Sequence, residues 1–413
     1  MATTQGERSA GPRRMRVMAR ALGPAFVAAV AYVDPGNFAT NIESGSTYGY
    51  LLLWVVIGAG LAAMPVQFLS AKLGIVTGLS LPEACRERFP RATSRALWVQ
   101  AELMAMATDL AEFMGTAIAL DLLFGMEPTA AVLLTAALSY LMLGVQRRRS
   151  RPFEVAVAVM LGLMCAGFGY LIARSGVDGG AAVAGLVPSP ADNHAVLLAL
   201  GIVGATVMPH AIYLHSALVR RDHLGGTARD TRRALRAERF DVLVALSLAG
   251  VINASMLLVA AGAFHDTGLP EVSALTDAHA ALGTWVGGAA ALVFALALLA
   301  SGLSSSGIGT LSGQVVMEGF TGARIPLVIR RSITMLPAVA VAFAGWDPTQ
   351  ALILSQVVLS FGIAPALIPL LMITSDRSVM GCHANGRRAV AGYAALAGGI
   401  VLLNVHLLVQ HVL

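Results

Sequence analysis

Long apolar stretches alternate with short polar segments along almost the whole chain, and most charged residues fall in the polar segments. About 20 apolar residues in a helix are enough to cross a hydrocarbon core of about 30 Å. The pattern therefore predicts an all-α polytopic membrane protein with eleven transmembrane helices. We place them at residues 20–42, 47–71, 97–122, 129–146, 153–173, 195–219, 241–264, 284–307, 327–345, 348–374 and 389–411.

Composition supports this prediction and excludes a soluble multidomain enzyme. Of the 413 residues, 57% are apolar and only 12% are charged, whereas soluble domains carry about a quarter charged residues. Cys85, Cys165 and Cys382 lie far apart and lack the spacing of a zinc site or a disulfide framework. Because neither an HExxH nor a GxSxG motif occurs, a membrane-embedded enzyme is not favoured, and no cofactor is indicated.

The basic residues predict the orientation of the spans. All but one of the 28 lysines and arginines lie in the N-terminal segment or in alternate loops, and only Arg174 lies on the other side. By the positive-inside rule, the tail at residues 1–19 is cytoplasmic and the C-terminus is external. The basic pI then needs no nucleic-acid partner. Residues 13–31 also resemble a signal peptide, but cleavage there would invert the other ten spans against the charge distribution.

Two predicted helices are interrupted by proline near their middle. The first contains Asp34-Pro35-Gly36-Asn37 and the sixth contains Met208-Pro209-His210. Proline removes a backbone donor and disrupts the preceding turn. These spans begin two five-helix halves, residues 20–173 and 195–374, which the additional helix at 389–411 follows. Because five is odd, the second half enters the membrane from the opposite side, as in inverted repeats whose broken helices form a substrate site.

Polar groups at the two breaks predict a cation site. The Asp34 carboxylate, the Asn37 side-chain oxygen and carbonyls freed at Ala31 and Ala205 suit hard or borderline cations. The Met208 thioether is soft, so it favours Mn²⁺, Fe²⁺, Co²⁺, Cd²⁺ or Zn²⁺ over Mg²⁺ and Ca²⁺. The alternative roles are structural: core packing for Met208 and helix capping for Asp34.

Three acids form a stripe on the third predicted helix. Glu102, Asp109 and Glu112 are seven and three residues apart, which places them on one side of a helix. Carboxylates inside a membrane helix indicate a functional role such as proton relay, and ion pairing with arginines such as Arg331 is the structural alternative. His210 and His215 in the sixth span have a similar ambiguity between core residue and pathway residue.

With both break motifs, the sequence resembles the bacterial branch of the Nramp family of divalent transition-metal transporters. Further matching motifs are Thr108-Asp109-Leu110-Ala111-Glu112, Ser304-Ser305-Ser306-Gly307, Gly313-Gln314, Met317-Glu318-Gly319-Phe320 and Gln356. The resemblance implies a LeuT-type fold in the bacterial inner membrane. It also implies proton-linked uptake of Mn²⁺ and Fe²⁺, with Cd²⁺ and Co²⁺ often accepted.

The resemblance also implies roles for individual residues. It makes metal ligands of Asp34, Asn37, Met208 and the Ala31 carbonyl, with the Ala205 carbonyl and Gln356 joining in other conformations. It further implies a proton path that runs from Asp34 past His210 to Asp109 and Glu112, with Arg331 nearby. We add Glu102 and His215 to this pathway as candidates.

A cation-coupled symporter of amino acids or other small solutes on the same fold is the alternative function. In such carriers, bare helix N-termini bind a substrate carboxylate, whereas Asp34 at the break would repel one. An ion channel is less favoured, because no repeated filter or pore ring is recognisable. We therefore expect divalent metal ions and protons as substrates, the lipid bilayer as the surroundings, and no obligatory protein partner.

Overall fold

The computed structural model describes residues 24–147, 151–189, 192–220, 228–265, 272 and 274–412. The predicted N-terminal tail, residues 1–19, lies outside these ranges. Within them the chain is helical and contains no strand. The predicted all-α class is therefore confirmed for the described part of the chain.

The described residues form eighteen α-helices and one short 3₁₀ helix at Gly381–His383. The α-helices are α1 Pro24–Ala31, α2 Pro35–Tyr48, α3 Leu53–Thr77, α4 Leu81–Arg88, α5 Arg91–Phe124, α6 Pro128–Arg147, α7 Arg151–Arg174, α8 Gly179–Ala184, α9 Asn193–Thr206, α10 Pro209–Arg220, α11 Ala228–Phe264, α12 Leu275–Trp285, α13 Gly288–Thr321, α14 Leu327–Thr334, α15 Leu336–Phe343, α16 Pro348–Ser375, α17 Arg377–Met380 and α18 Arg387–Val412.

Each predicted span coincides with a helix or with a pair of helices. In the described ranges, seven are long and apolar enough to cross a membrane: α3, α5, the α9–α10 pair, α11, α13, α16 and α18. The other predicted spans correspond to α1–α2, α6, α7 and α14–α15. The membrane-spanning character is thus clear, and the count of eleven remains a prediction.

The ninth predicted span differs from the structure. Residues 327–345 were expected to form one helix, but α14 ends at Thr334 and α15 begins at Leu336, with Pro337 in its first turn. Pro337 has no backbone N–H, and its ring would collide with the carbonyl four residues earlier, at Ile333. The prediction of a continuous helix there is wrong, because the apolar pattern hides the effect of this proline.

Contacts between helix ends gather the loops on two faces, with loops numbered by the predicted spans that they join. We define the basic face as the one that carries loops 2–3, 6–7, 8–9 and 10–11. These loops are joined by Arg220 with Glu83, Arg88 with Asp376, and Arg86 with the Glu318 carbonyl. On the other face, loops 1–2, 5–6, 7–8 and 9–10 are joined by Tyr48 with Asp192, Trp54 with Gly185, and Leu275 with Thr349.

Small residues let the helices around the breaks approach one another closely. A Cβ added at Gly45 of α2 would overlap the Leu257 carbonyl of α11, and one at Gly302 of α13 would overlap Thr116 of α5. Membrane helices use such small residues because their association depends on close packing rather than on the hydrophobic effect. The broken helices are thereby held in the middle of the bundle.

Candidate metal site between the two helix breaks

The first break lies between α1 and α2, where Asp34 is the N-cap of α2. One carboxylate oxygen, Oδ1, accepts hydrogen bonds from the backbone N–H and from the side-chain Nδ2 of Asn37, both at 2.8 Å. A carboxylate at this position satisfies free N–H groups and interacts favourably with the helix dipole. The capping role considered for Asp34 is therefore present, and it engages only one of the two oxygens.

The second break separates α9, which ends at Thr206, from α10, which begins at Pro209. Val207 has non-helical backbone angles, φ −99° and ψ 58°. Met208 follows it and is fully buried, with 0% of its surface exposed. The thioether is thus held inside the bundle at the interruption, in a protein environment and not in lipid.

The two prolines release carbonyl oxygens at equivalent places. In an α-helix, a carbonyl accepts the N–H of the residue four positions later. Pro35 stands four residues after Ala31, and Pro209 stands four residues after Ala205, so both carbonyls lose their helical donor. The Ala205 carbonyl accepts Nδ2 of Asn37 at 3.1 Å. This bond joins the two breaks directly.

Several side-chain oxygens around the breaks are buried without a hydrogen-bond partner among the described residues. They include Oδ2 of Asp34, Oδ1 of Asn37, Oγ1 of Thr206 and Oε1 of Gln356. Leaving a buried acceptor unsatisfied costs about 1–3 kcal/mol, and more for a charged group. A cation bound between the breaks would give such oxygens a partner. These unpartnered atoms therefore fit a metal site.

Gln356 reaches both breaks because a glycine lies beside each of them. A Cβ at Gly36 would overlap the Gln356 side-chain amide, and a Cβ at Gly204 would overlap the Gln356 backbone carbonyl. The structure thus brings α16 against the first and the second break together. Gly204 is the first residue of the interrupted stretch that the sequence shows in the sixth span, Gly204 to His210, but its contact with α16 was not predicted.

The donor set indicates reversible binding. In the described part of the chain, no group of three or more histidine, cysteine, aspartate or glutamate side chains could hold a metal. The candidate site instead combines one carboxylate with neutral amide and carbonyl oxygens and one thioether. Hard oxygens with a single soft sulfur suit a borderline divalent ion, and one charge on the protein leaves such an ion able to dissociate.

The acids predicted on one helix face all lie on α5, and two of them are paired with arginine. Asp109 contacts Nη1 of Arg331 at 2.5 Å, and Arg331 also donates to Ser139 at 2.7 Å and to Ser306. Glu102 pairs instead with Arg330 at 2.8 Å. The structural alternative of ion pairing is therefore present for both acids, and the partner of Glu102 was not anticipated.

Glu112 is the unpaired member of the stripe. It is 1% exposed, and neither carboxylate oxygen receives a hydrogen bond from the described residues. Asp109, Arg331 and Asp34 are its charged neighbours. On the same side, Nδ1 of His210 lies 3.1 Å from the Thr108 hydroxyl. Glu112 therefore has charged neighbours both at the first break and in the Asp109–Arg331 pair.

His215 belongs to a different network. Its ring nitrogens lie 2.7 Å from Oε1 of Glu238 and 2.9 Å from Oε1 of Gln67. Gln67 in turn donates to the Tyr32 hydroxyl at 2.5 Å, next to the first break. The structure therefore does not group His215 with the acids of α5. Gln67 was not singled out from the sequence. As an isolated polar residue in an apolar span, it is the sequence signal that could have indicated this second network.

The comparison with protein families decides the membership of the chain. Residues 25–410 match the family described as Nramp, natural resistance-associated macrophage protein-like. The chain belongs to the Nramp family. This confirms the resemblance that was inferred from the two break motifs.

Curated relatives agree with this membership over nearly the full length. This Nramp chain is 48% identical over 407 residues to the divalent metal cation transporter MntH of Deinococcus radiodurans, covering 98% of this chain and 93% of the relative. It is 50% identical over 390 residues to the divalent metal cation transporter MntH of Bacillus subtilis, covering 94% of this chain and 92% of that protein.

Solved structures confirm the predicted fold class. A manganese transporter of Eremococcus coleocola, in a mutant form, superposes with a TM-score of 0.83 at 33% identity and covers 96% of this Nramp chain and 88% of its own. Mhp1, a nucleobase-cation-symport-1 family transporter, has a TM-score of 0.62 at 16% identity, covering 94% and 90% of the two chains. The likeness to Mhp1 concerns the fold alone, which is the LeuT-type fold that was predicted.

Proposed function

We propose that this Nramp protein is a secondary active transporter that imports divalent transition-metal ions by alternating access. Mn²⁺ and Fe²⁺ are the principal substrates, and Cd²⁺ and Co²⁺ are accepted. The observation that carries the proposal is the set of unpartnered buried oxygens on Asp34, Asn37 and Gln356, between two helices broken by proline. The metal is the transported substrate and not a cofactor, and the protein is not an enzyme.

Different proposed ligands determine the affinity for the metal ion and the selectivity among metal ions. Asp34 supplies the negative charge, while Asn37, Gln356 and the freed carbonyls of Ala31 and Ala205 supply neutral oxygens. Met208 supplies the sulfur, which bonds transition metals and gains nothing from Mg²⁺ or Ca²⁺. This selectivity is needed because Mg²⁺ and Ca²⁺ carry the same charge as the transition-metal ions and compete with them for every oxygen ligand.

We further propose proton co-transport through the polar residues of α5 and α10. Buried Glu112 has charged neighbours both at the first break and in the Asp109–Arg331 pair, and His210 contacts the Thr108 hydroxyl of the same helix. Two positive charges crossing 100 mV gain about 4.6 kcal/mol, so the membrane potential alone can drive uptake. The case for protons therefore rests on the buried acids and the family, and not on an energetic need.

In the proposed orientation, the basic face is cytoplasmic in a bacterial inner membrane. The N-terminal tail is then cytoplasmic and the C-terminus is external. Residues 20–173 and 195–374 form the two inverted repeats, and residues 389–411 add a further span. The meeting of four arginine-bearing loops on one face supports this orientation.

A solute symporter on the same fold is less well supported. The Mhp1 likeness leaves that function open at the level of the fold. However, one of the unpartnered oxygens at the first break belongs to the Asp34 carboxylate, and a carboxylate repels the anionic group of an amino acid. A cation is the substrate that this buried group favours.

Metal uptake into proteoliposomes tests the proposed substrate. The purified protein is reconstituted around a metal-quenched dye, and Mn²⁺ or Ca²⁺ is added outside under an inside-negative potential. We expect wild type to take up Mn²⁺ and to exclude Ca²⁺. Asp34→Asn should lower Mn²⁺ uptake at least about 100-fold, because it removes the only charged ligand.

The matched control is Asp178→Asn. It removes the same charge from an exposed helix N-cap, outside the metal site and on the face opposite to the basic face. It should behave as wild type. Absence of Mn²⁺ uptake in folded wild-type protein, or equal loss in both variants, would contradict the metal-transport proposal.

A pH-sensitive dye inside the same vesicles tests proton co-transport. Mn²⁺ uptake by wild type should acidify the lumen, and Asp109→Asn should reduce the protons moved per Mn²⁺ at least about tenfold, because it removes a proton-transfer group. Exposed Glu127→Gln is the control and should keep the wild-type ratio. Unchanged acidification in Asp109→Asn would remove Asp109 from the proton path.

A further inference from the structure

A cavity on the basic face lies outside the metal site and the proton route. It has a volume of about 500 Å³ and is lined by Arg86 of α4, by Arg91, Arg95 and Trp98 of α5, and by Phe320 of α13. No aspartate or glutamate is among its described lining residues. Three positive charges therefore surround a space that is open to the surface.

Two acids that lie near these arginines are engaged by other groups. Glu318 accepts Gln314 at 2.8 Å and faces Arg324 at 3.6 Å, while its backbone carbonyl accepts Arg86. Glu102 is committed to Arg330 and Trp98. Within the described part of the chain, Arg91 and Arg95 have no ion-pair partner. The cavity is thus complementary to an anion.

The surface of α5 continues from the arginines into apolar residues at helical spacing. Arg91, Arg95, Val99 and Leu103 follow one another every four residues, so they form one stripe along the helix. Val99 and Leu103 are 50% and 55% exposed. Trp98 stands where the charged part meets the apolar part, as tryptophans do at membrane interfaces.

We propose that this cavity binds the phosphate headgroup of an anionic phospholipid, with the acyl chains lying along the apolar part of the α5 stripe. A charged head beside an apolar tail matches the order of residues on the stripe, whereas a free phosphate would use only the arginines. Basic pockets between helices at the cytoplasmic end of membrane proteins are suited to such headgroups.

The proposed lipid site touches the polar network through one side chain. Trp98 lines the cavity and also donates from Nε1 to Glu102 at 3.2 Å, and Glu102 pairs with Arg330. A headgroup bound at the arginines fixes the Trp98 ring and the first turns of α5. The lipid therefore acts on the stability of this end of α5.

Thermal unfolding of the delipidated full-length protein in detergent tests the proposal. Phosphatidylglycerol should raise the unfolding midpoint saturably, whereas phosphatidylcholine should not. The double variant Arg91→Gln/Arg95→Gln should weaken the apparent affinity about 30-fold, because two arginines at a membrane surface are removed. The same unfolding measurement with inorganic phosphate and with glycerol 3-phosphate distinguishes binding of a free anion from binding of a lipid.

The control is Arg387→Gln/Arg388→Gln, which removes two exposed arginines at the start of α18 on the same face. It should keep the wild-type affinity for phosphatidylglycerol. Equal responses of the α5 variant and wild type, or equal losses in both double variants, would overturn the site. Stabilisation by glycerol 3-phosphate as strong as that by the lipid would overturn the assignment to a phospholipid.

A second measurement does not depend on the unfolding of any arginine variant. With Trp54, Trp285 and Trp346 replaced by phenylalanine, Trp98 is the only tryptophan of the chain. Phosphatidylglycerol with brominated chains should quench its fluorescence at lower mole fraction than brominated phosphatidylcholine does. Equal quenching by the two lipids would contradict a headgroup-specific site.

Discussion

The first helix break carries a carboxylate and an amide, whereas the second carries a thioether and no charged side chain between Thr206 and Pro209. Their backbones nevertheless behave alike, since each proline frees the carbonyl four residues before it. The difference teaches that backbone chemistry supplies neutral oxygens at both breaks. In the proposed site, the charge comes only from Asp34 and the soft donor only from Met208, so we expect affinity and selectivity to be separable.

Packing against α16 also distinguishes the breaks, and we expect the largest effect there. Gly204→Ala would push a Cβ into the backbone of Gln356 and Ser360, whereas Gly36→Ala would meet the Gln356 side chain, which yields more easily than backbone does. Gly204→Ala should therefore lower the free energy of unfolding by about 1–3 kcal/mol, and Gly36→Ala by less. Thermal unfolding in detergent measures both.

Gly58→Ala is the control for these two substitutions, because no atom lies within 4 Å of its added Cβ. It should leave the unfolding midpoint close to that of wild type. Greater destabilisation by Gly36→Ala than by Gly204→Ala would reverse the proposed difference between the breaks.

The soft ligand is the second point of comparison. Met208→Leu keeps an apolar side chain of similar size in a fully buried position and removes only the sulfur. We expect Cd²⁺ binding, measured by titration calorimetry, to weaken at least about tenfold, and Ca²⁺ to compete for uptake. Mn²⁺ should lose less, because it relies more on oxygen ligands.

The control for the sulfur is Met164→Leu, at a fully buried methionine of α7. It should change neither Cd²⁺ affinity nor the exclusion of Ca²⁺. If Met208→Leu left the ratio of Cd²⁺ to Mn²⁺ affinity unchanged, the second break would contribute no selectivity.

The freed carbonyls should give the smallest effect. Pro35→Ala and Pro209→Ala each restore a backbone N–H that is able to bond Ala31 or Ala205. A hydrogen bond with a net value of about 0.5–1.5 kcal/mol then competes with the metal, so Mn²⁺ affinity should fall between about twofold and tenfold in each variant. Pro65→Ala inside α3 is the control, because Pro65 does not interrupt its helix.

A proline alone does not predict a break, since Pro65 lies inside the uninterrupted helix α3 and the effect of Pro337 was missed. Sequence reasoning predicted the breaks at Pro35 and Pro209 because polar residues stand beside both prolines in otherwise apolar spans, and the same polar residues define the candidate site. It failed where the outcome depends on how helices rotate against each other. The pairing of Glu102 with Arg330, 228 residues away, and the contacts of His215 with Gln67 and Glu238 are of this kind.

The proposed carbonyl ligands at Ala31 and Ala205 depend on residues elsewhere in the chain. Any small residue there would present the same backbone oxygen, since the side chain takes no part and only the burial, 2% and 0% exposed, restricts its size. The codons for Pro35 and Pro209 determine whether those oxygens are free. In the proposed site, replacing Pro35 or Pro209 therefore affects metal binding although neither proline supplies a ligand, whereas Ala31 and Ala205 can be exchanged for other small residues.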